Sequence, residues 1–228
     1  MKRISLITTA FVALSPLFMT AQVNQTVKDS DGRSISNRRE QSQPATGSMY
    51  TNEKFLPAKL STATNTVLLR YNAYSDYFEM NSAGGDGPQN LPKDPATEIT
   101  FISNNKTYAL VDYTTEKGEQ ENGYLYVIND NDKVKFYKRE RIVLQPESFP
   151  NNSYQTYKAA NYKKVDDELY VFVEGKGVVP FSTNKKQFAK LIPGGKDKEV
   201  LDYIKQNKIS LDKEHDLVKL GAYLQTIL

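Results

Sequence analysis

The hydrophobic pattern of this chain changes its period at Phe181, and that change limits what the chain can fold into. Before Phe181, short runs rich in β-branched residues and tyrosine alternate with turn residues, which is typical of strands. After it, apolar side chains recur about every 3.6 residues, as on one side of a helix. We therefore predict a mainly β (α+β) fold. An antiparallel curved sheet or open barrel built from hairpins spans residues 49–182, and helices in residues 183–228 pack against it.

The β region is predicted to contain successive hairpins. Strands are predicted at residues 66–74 and 76–80. Three hairpins then pair residues 98–103 with 107–114, 123–128 with 133–144, and 169–173 with 178–181. In an extended chain Tyr124 and Tyr126 share one face, while Leu125 and Val127 share the other. Because both faces are apolar, residues 123–128 are predicted to form a central strand.

The other local predictions concern helices and a loop. Helices are predicted at residues 184–192, 197–206 and 211–228, with Ser210 as the N-cap of the last one. Residues 146–164 are rich in Asn, Tyr and Pro. That composition predicts a loop with one strand near Tyr154.

The first 21 residues have the pattern of a secretory signal peptide. Lys2 and Arg3 precede an apolar run, and Ala21 offers the small side chain that the peptidase needs at the cut. The run is shorter than the roughly 20 residues of a membrane span, so no integral membrane span is predicted. Cleavage after Ala21 implies a periplasmic or secreted protein. Residues 22–48 are polar and are predicted to be a disordered linker.

Charge and cysteine content exclude several classes of protein. Cleavage would remove two of the 30 basic residues and leave 28 against 27 acidic ones, which is near neutrality. A nucleic-acid partner is therefore not expected, because such proteins carry a clustered basic excess. The chain has no cysteine. Disulfides, thiolate metal sites, cysteine nucleophiles and a lipoprotein anchor are excluded with it.

Few residues of the chain suggest catalysis or metal binding. His215 is the single histidine, too few for a zinc site, and no Gly-x-Ser-x-Gly motif supplies a serine nucleophile. Residues 129–132 are Asn and Asp but lack the spacing of a calcium loop, so they are interpreted as turn residues. No catalytic residue, metal or cofactor is predicted. Paired carboxylates, such as Asp76 with Glu79 or residues 166–168, leave a glycan hydrolase open.

Tyrosine, with fifteen residues, is the one excess that suggests function. It suits ligand-binding faces, although it is also a common strand residue. The candidate ligand-binding residues are Arg70, Tyr71, Tyr74, Asp76, Tyr77, Tyr154 and Tyr157. If the strand ran on through Asp76, its even spacing from Arg70 would put both on one face. A structural ion pair, a solvated edge and a ligand contact are all open for these two.

Short motifs in the mature region resemble a known group of proteins. Residues 68–76, Leu-Leu-Arg-Tyr-Asn-Ala-Tyr-Ser-Asp, follow Gly-Ser-Met-Tyr at 47–50 and Phe55, and Ala21-Gln22 marks the cut. Residues 185–223 add a tail with Phe188 and Pro193. Together they resemble a family of uncharacterised secreted proteins of Bacteroidetes, flavobacteria among them. The resemblance implies an exported Gram-negative protein and carries no activity, cofactor or catalytic residue.

The sequence favours a non-enzymatic binding or interaction module of the bacterial envelope. The missing catalytic residues and the tyrosines on predicted strands support this hypothesis. Two alternatives stay open: a carboxylate-dependent glycan hydrolase, and a structural envelope component that acts through oligomer contacts. The partner is an envelope ligand or protein that the sequence does not identify, and it does not give the oligomeric state.

Overall fold

A computed structural model describes residues 26–28, 34–36, 42–81, 87–152 and 154–228. Backbone contacts divide the chain into two units, residues 1–41 and 42–228. In the first unit, strand β1 (Thr26–Lys28) pairs antiparallel with β2 (Ser34–Ser36). These strands lie within the range predicted to be a linker. The predicted signal peptide, residues 1–21, lies outside the described residues.

The second unit contains thirteen strands and three helices among its described residues. The strands are β3 (Thr46–Gly47), β4 (Leu56–Leu60), β5 (Thr66–Asn72), β6 (Tyr77–Asn81), β7 (Pro88–Asn90), β8 (Ile99–Phe101), β9 (Lys106–Thr114), β10 (Gln120–Val127), β11 (Val134–Arg139), β12 (Ile142–Gln145), β13 (Asn161–Lys164), β14 (Glu168–Val173) and β15 (Gly177–Pro180). The helices are α1 (Lys185–Leu191), α2 (Asp197–Gln206) and α3 (Glu214–Ile227). The predicted fold class is confirmed: the fold is mainly β, with C-terminal helices packed on it.

Five strands close into a barrel in the order β9–β10–β11–β14–β15. Closure comes from β9, which pairs with β10 along one edge and, at Tyr113, with Val178 of β15 along the other. Each of the five strands contributes a buried residue to one interior cluster: Tyr113, Leu125, Tyr137, Tyr170 and Val178. The apolar side chains on both faces of β10 are explained by this closure, since one face lies inside the barrel.

The start of β9 pairs with β8, and from there the sheet continues through β4, β5, β6 and β7. This extension folds over the outside of the barrel and encloses a second, aromatic core. The Phe78 ring lies 4.8 Å from the Tyr124 ring at 90°, and 4.8 Å from the Tyr71 ring. The outward face of β10 therefore packs on the extension, as its apolar pattern requires.

The helices cover a different part of the barrel's outer surface. Phe136 of β11 packs on Phe188 of α1, with ring centroids 5.8 Å apart, within a cluster that includes Leu217 of α3. Asn184 caps α1 by accepting hydrogen bonds from two backbone N–H groups. The predicted cap at Ser210 is wrong: α3 begins at Glu214, because Ser210 accepts the Lys213 N–H in a turn that precedes the helix.

A small sheet of β12, β13 and β3 completes the unit. The strand predicted near Tyr154 is absent from the described residues, where Tyr154 lies in a loop and β13 forms at Asn161–Lys164 instead. Tyr162 explains why the strand forms there and not near Tyr154, because the Tyr162 ring packs on Tyr74 while Tyr154 is 96% exposed.

Within the described part of the chain, no helix is long and apolar enough to cross a membrane.

Candidate functional site

A pocket of about 180 Å³ lies at one end of the barrel. One wall is the turn between β5 and β6, which contributes Tyr74 and Asp76. The other wall is residues 139–144, where the chain leaves β11 and enters β12. We call this cavity the barrel-mouth pocket, since Arg139 closes the barrel immediately below it.

Arg139 points into the barrel and is held there by two carboxylates. Its Nη2 lies 2.9 Å from Glu121 Oε2 and its Nη1 lies 3.4 Å from Glu168 Oε2. The guanidinium also sits 5.2 Å from the centre of the Tyr113 ring. Burial alone would raise the pKa of Glu168, but hydrogen bonds from Arg141 and Tyr170 outweigh it and hold that pKa below its ordinary value. The barrel end is therefore a fixed, ionised network.

Asp76 fastens the opposite wall of the pocket to the barrel. Its Oδ1 accepts hydrogen bonds from the Tyr71 hydroxyl at 2.8 Å and the Tyr124 N–H at 3.1 Å, and its Oδ2 lies 2.7 Å from Lys93 Nζ. The residue adopts a φ of 54°, which Asp tolerates better than most residues. Gly123 makes this approach possible, since a Cβ there would lie 2.9 Å from Asp76 Oδ2.

Glu140 lies in the pocket wall but is already paired. Its carboxylate is 2.7 Å from Lys106 Nζ and accepts a hydrogen bond from the Tyr108 hydroxyl. Burial would raise the pKa of Glu140, yet these partners lower it overall. Like Glu168, Glu140 therefore stabilises the walls as an anion and does not present a free proton to the pocket.

Three lining side chains remain open to solvent. Arg141 is 40% exposed and donates one hydrogen bond, from Nη1 to Glu168 Oε1 at 2.6 Å. Its Nε and Nη2 have no partner among the described residues. Tyr74 is 45% exposed and packs edge-on against Tyr162, and Leu144 is 37% exposed. The pocket thus offers a guanidinium beside an apolar rim.

The structure brings three of the seven predicted ligand-binding residues to this pocket, namely Tyr71, Tyr74 and Asp76. Arg70 lies elsewhere. Strand β5 ends at Asn72, so the face does not continue to Asp76, and Arg70 pairs with Glu79 at 2.5 Å. The Arg70 guanidinium also lies between the Tyr50 and Phe55 rings, which makes it a structural clamp.

The remaining predicted tyrosines lie away from the pocket. Tyr77 donates to Glu79 beside the Arg70 clamp. Tyr157 donates a hydrogen bond to Glu147 and accepts one from the Gln43 N–H, while Tyr154 lies exposed in a loop.

Sequence reasoning missed Arg139, Arg141 and Leu144 as pocket residues. The alternation Arg139-Glu140-Arg141 between two apolar strands was the available signal.

The other side chains considered for chemistry have different environments. His215 is 67% exposed, beside Asp216 on α3. Asn129 donates to the Val134 carbonyl and accepts from the Phe136 N–H, so its side chain fixes the hairpin. Over the residues that the structure describes, no group of three or more His, Asp or Glu side chains could hold a metal ion.

No protein-family model matches this chain, and neither a curated protein nor a solved structure matches it. The resemblance to secreted Bacteroidetes proteins therefore stays a prediction. The functional argument depends on the geometry of the barrel-mouth pocket.

Proposed function

We propose that this chain is an exported, non-enzymatic binding protein of the bacterial envelope that holds its ligand in the barrel-mouth pocket. The observation that carries the proposal is Arg141. It donates one hydrogen bond to Glu168, its other N–H groups have no partner among the described residues, and it lines a cavity together with exposed Tyr74 and Leu144. A few polar groups beside an apolar surface are the usual composition of a binding pocket.

The size of the cavity limits what it accepts. Pockets that enclose a whole drug-sized ligand measure about 300–1,000 Å³. The 180 Å³ here suits a small anion or the end of a longer molecule. The positive guanidinium favours a ligand group that is negatively charged.

The carboxylates around the pocket favour binding over glycan hydrolysis. A glycosidase needs one carboxylic acid whose pKa is raised, so that it can protonate the leaving oxygen. Burial acts in that direction on Glu140 and Glu168, but their cationic and hydroxyl partners lower both pKa values. Asp76 is engaged by three donors. Each of these groups supports the fold.

A ligand screen tests the proposal on the purified protein, expressed from the full-length chain. Small carboxylates, phosphates, peptides and glycans are compared by thermal shift and by ¹H–¹⁵N spectra. A ligand at about ten times its Kd adds about 1.4 kcal/mol of stability, which moves Tm by a few degrees. We expect an anionic ligand to shift the resonances of Tyr74, Arg141 and Leu144.

Two matched variants locate the effect. R141Q removes the exposed guanidinium, and K59Q removes one positive charge from an exposed position on β4 outside the pocket. We expect R141Q to lose the ligand shift and K59Q to keep it. An anion that binds R141Q as well as the wild type, or turnover of a glycan in the screen, would refute the proposal.

A further inference from the structure

The free edge of β12 opens into the barrel-mouth pocket. Arg141 accepts the Val165 N–H on the β13 side, and Ile142 donates its N–H to the Ala73 carbonyl on the opposite side at 3.2 Å. Backbone groups of successive residues in an antiparallel pair point to alternate sides. Leu144 therefore directs its N–H and C=O away from β13, and among the described residues neither has a partner.

This free edge is closed at one end. The Asn72 side chain accepts the N–H groups of Tyr74 and Ser75, which turns the chain away directly after Ala73 has paired with Ile142. A gap is left where a neighbouring strand would otherwise continue. A chain that filled the gap from the open side would have to end at Ala73, so the fitting group is a chain terminus.

The charges at the closed end determine which terminus fits. The acidic groups of the pocket are neutralised, Asp76 by Lys93 and Glu140 by Lys106. Arg141, adjacent in sequence to Ile142, has N–H donors with no partner among the described residues. A guanidinium binds a carboxylate through two parallel hydrogen bonds, whereas it repels an ammonium group.

We infer that the ligand is the C-terminal end of an extended peptide, which adds to the edge of β12 and places its terminal carboxylate on Arg141. This inference rests on the proposed function and names its ligand class. The Leu144 N–H and C=O pair with the peptide backbone, and the last side chains lie against Tyr74 and Leu144. The volume of 180 Å³ accommodates only the last residues, so the rest of the peptide lies outside the pocket.

The probe is a pool of N-acetylated pentapeptides with mixed sequences, prepared once as free acids and once as C-terminal amides. Both pools are titrated into ¹⁵N-labelled protein. We expect the acid pool to shift the Leu144 amide and the amide pool to bind at least about tenfold more weakly, as the loss of a charged hydrogen-bonded pair predicts. Equal binding of the two pools, or shifts confined to residues outside β12, would overturn the inference.

Two substitutions at Leu144 separate the backbone contact from the side chain. L144A keeps the outward N–H, and L144P removes it without touching the bonds to β13. We expect L144P to bind the acid pool about fivefold more weakly than L144A. Equal affinity would refute strand addition. If L144P fails to fold, the R141Q variant provides the test. We expect R141Q to bind the acid and amide pools with equal affinity. A retained preference for the acid pool would refute the inference.

The outcome also separates this inference from the proposed function. If acetate or phosphate shifts Arg141 and Tyr74 while neither peptide pool does, the pocket binds anions and the peptide is excluded. If no anion or peptide shifts any lining residue, the proposed function itself fails.

Discussion

Replacing Asp76 by alanine should destabilise the protein by about 4 kcal/mol, because one carboxylate connects the β5–β6 turn to the barrel. Its Oδ1 accepts the hydroxyl of Tyr71, which is 2% exposed, and the N–H of Tyr124. Hydrogen bonds to a charged acceptor contribute about 1.5–3 kcal/mol each, so these two account for about 3–6 kcal/mol. The pair with Lys93 is partly exposed and adds at most about 1 kcal/mol.

A series at Asp76 separates these effects. D76N keeps an acceptor oxygen and tolerates the left-handed φ of 54°, so only the contribution of the charge is lost, about 1–2 kcal/mol. D76A loses both hydrogen bonds, and alanine tolerates the left-handed φ less well than aspartate does. D76G loses the same hydrogen bonds, but glycine adopts a positive φ without steric cost. D76G should therefore be about 1 kcal/mol more stable than D76A.

Urea unfolding followed by circular dichroism measures the series, since the chain contains no tryptophan for fluorescence. The expected order of stability is wild type, D76N, D76G, D76A. A D76A variant within about 1 kcal/mol of wild type would refute the reasoning, because that is the effect of an ordinary surface substitution. A D76G variant less stable than D76A would refute the left-handed conformation.

Three further predictions address other parts of the chain. Burial, and after it the nearby charge of Asp76, raises the pKa of Tyr124 to about 12. In the unfolded chain the same hydroxyl has a pKa of about 10. The free energy of unfolding therefore falls as the pH rises from 10 to 12. Wild type should therefore lose about 2–3 kcal/mol more than Y124F over that range in urea midpoints. N184A should lose about 1 kcal/mol in thermal unfolding by removing the α1 cap, whereas N184S should lose little. In a Gram-negative host, mass spectrometry of the periplasmic fraction should find a chain that starts at Gln22, and A21R should block that cut; intact chain in the cytosol contradicts export.

The turns of the hairpins were predictable because they are local, but the predicted strand 133–144 is wrong in its second half. The strand ends at Arg139, and residues 142–145 form β12, which pairs with β13. The turn between β8 and β9 contains Asn104 and Asn105, and Asn105 has a positive φ of 54°, which Asn tolerates better than most residues. Closure of the barrel was not predictable, since it depends on one parallel contact between Val178 and Tyr113, 65 residues apart in the chain. Likewise β4 was missed, because Pro57 and Lys59 interrupt its apolar pattern and its pairing with β8 is not local.

The site was predictable only in part, for a related reason. A sequence shows spacing along one strand, and that spacing suggested Arg70 beside Asp76. The turn after Asn72 redirects Asp76 towards Tyr124, while Arg70 finds its carboxylate on the next strand, at Glu79. Tyr74 was identified because the tyrosines of the predicted strands were the candidates, whereas Arg141 lines the pocket only because β12 folds against the turn between β5 and β6.

Two arginines two residues apart have different roles at the barrel end. Arg139 faces inward, bonded to Glu121 and Glu168, so its removal would leave two carboxylates in a partly buried site without their cation. That loss would weaken the barrel whether or not a ligand is bound. Arg141 faces the solvent with one exposed ion pair, which contributes about 0–1 kcal/mol. R141Q is therefore expected to cost less stability than R139Q. Because R141Q also takes one hydrogen bond from Glu168, its urea midpoint is measured beside its ligand affinity.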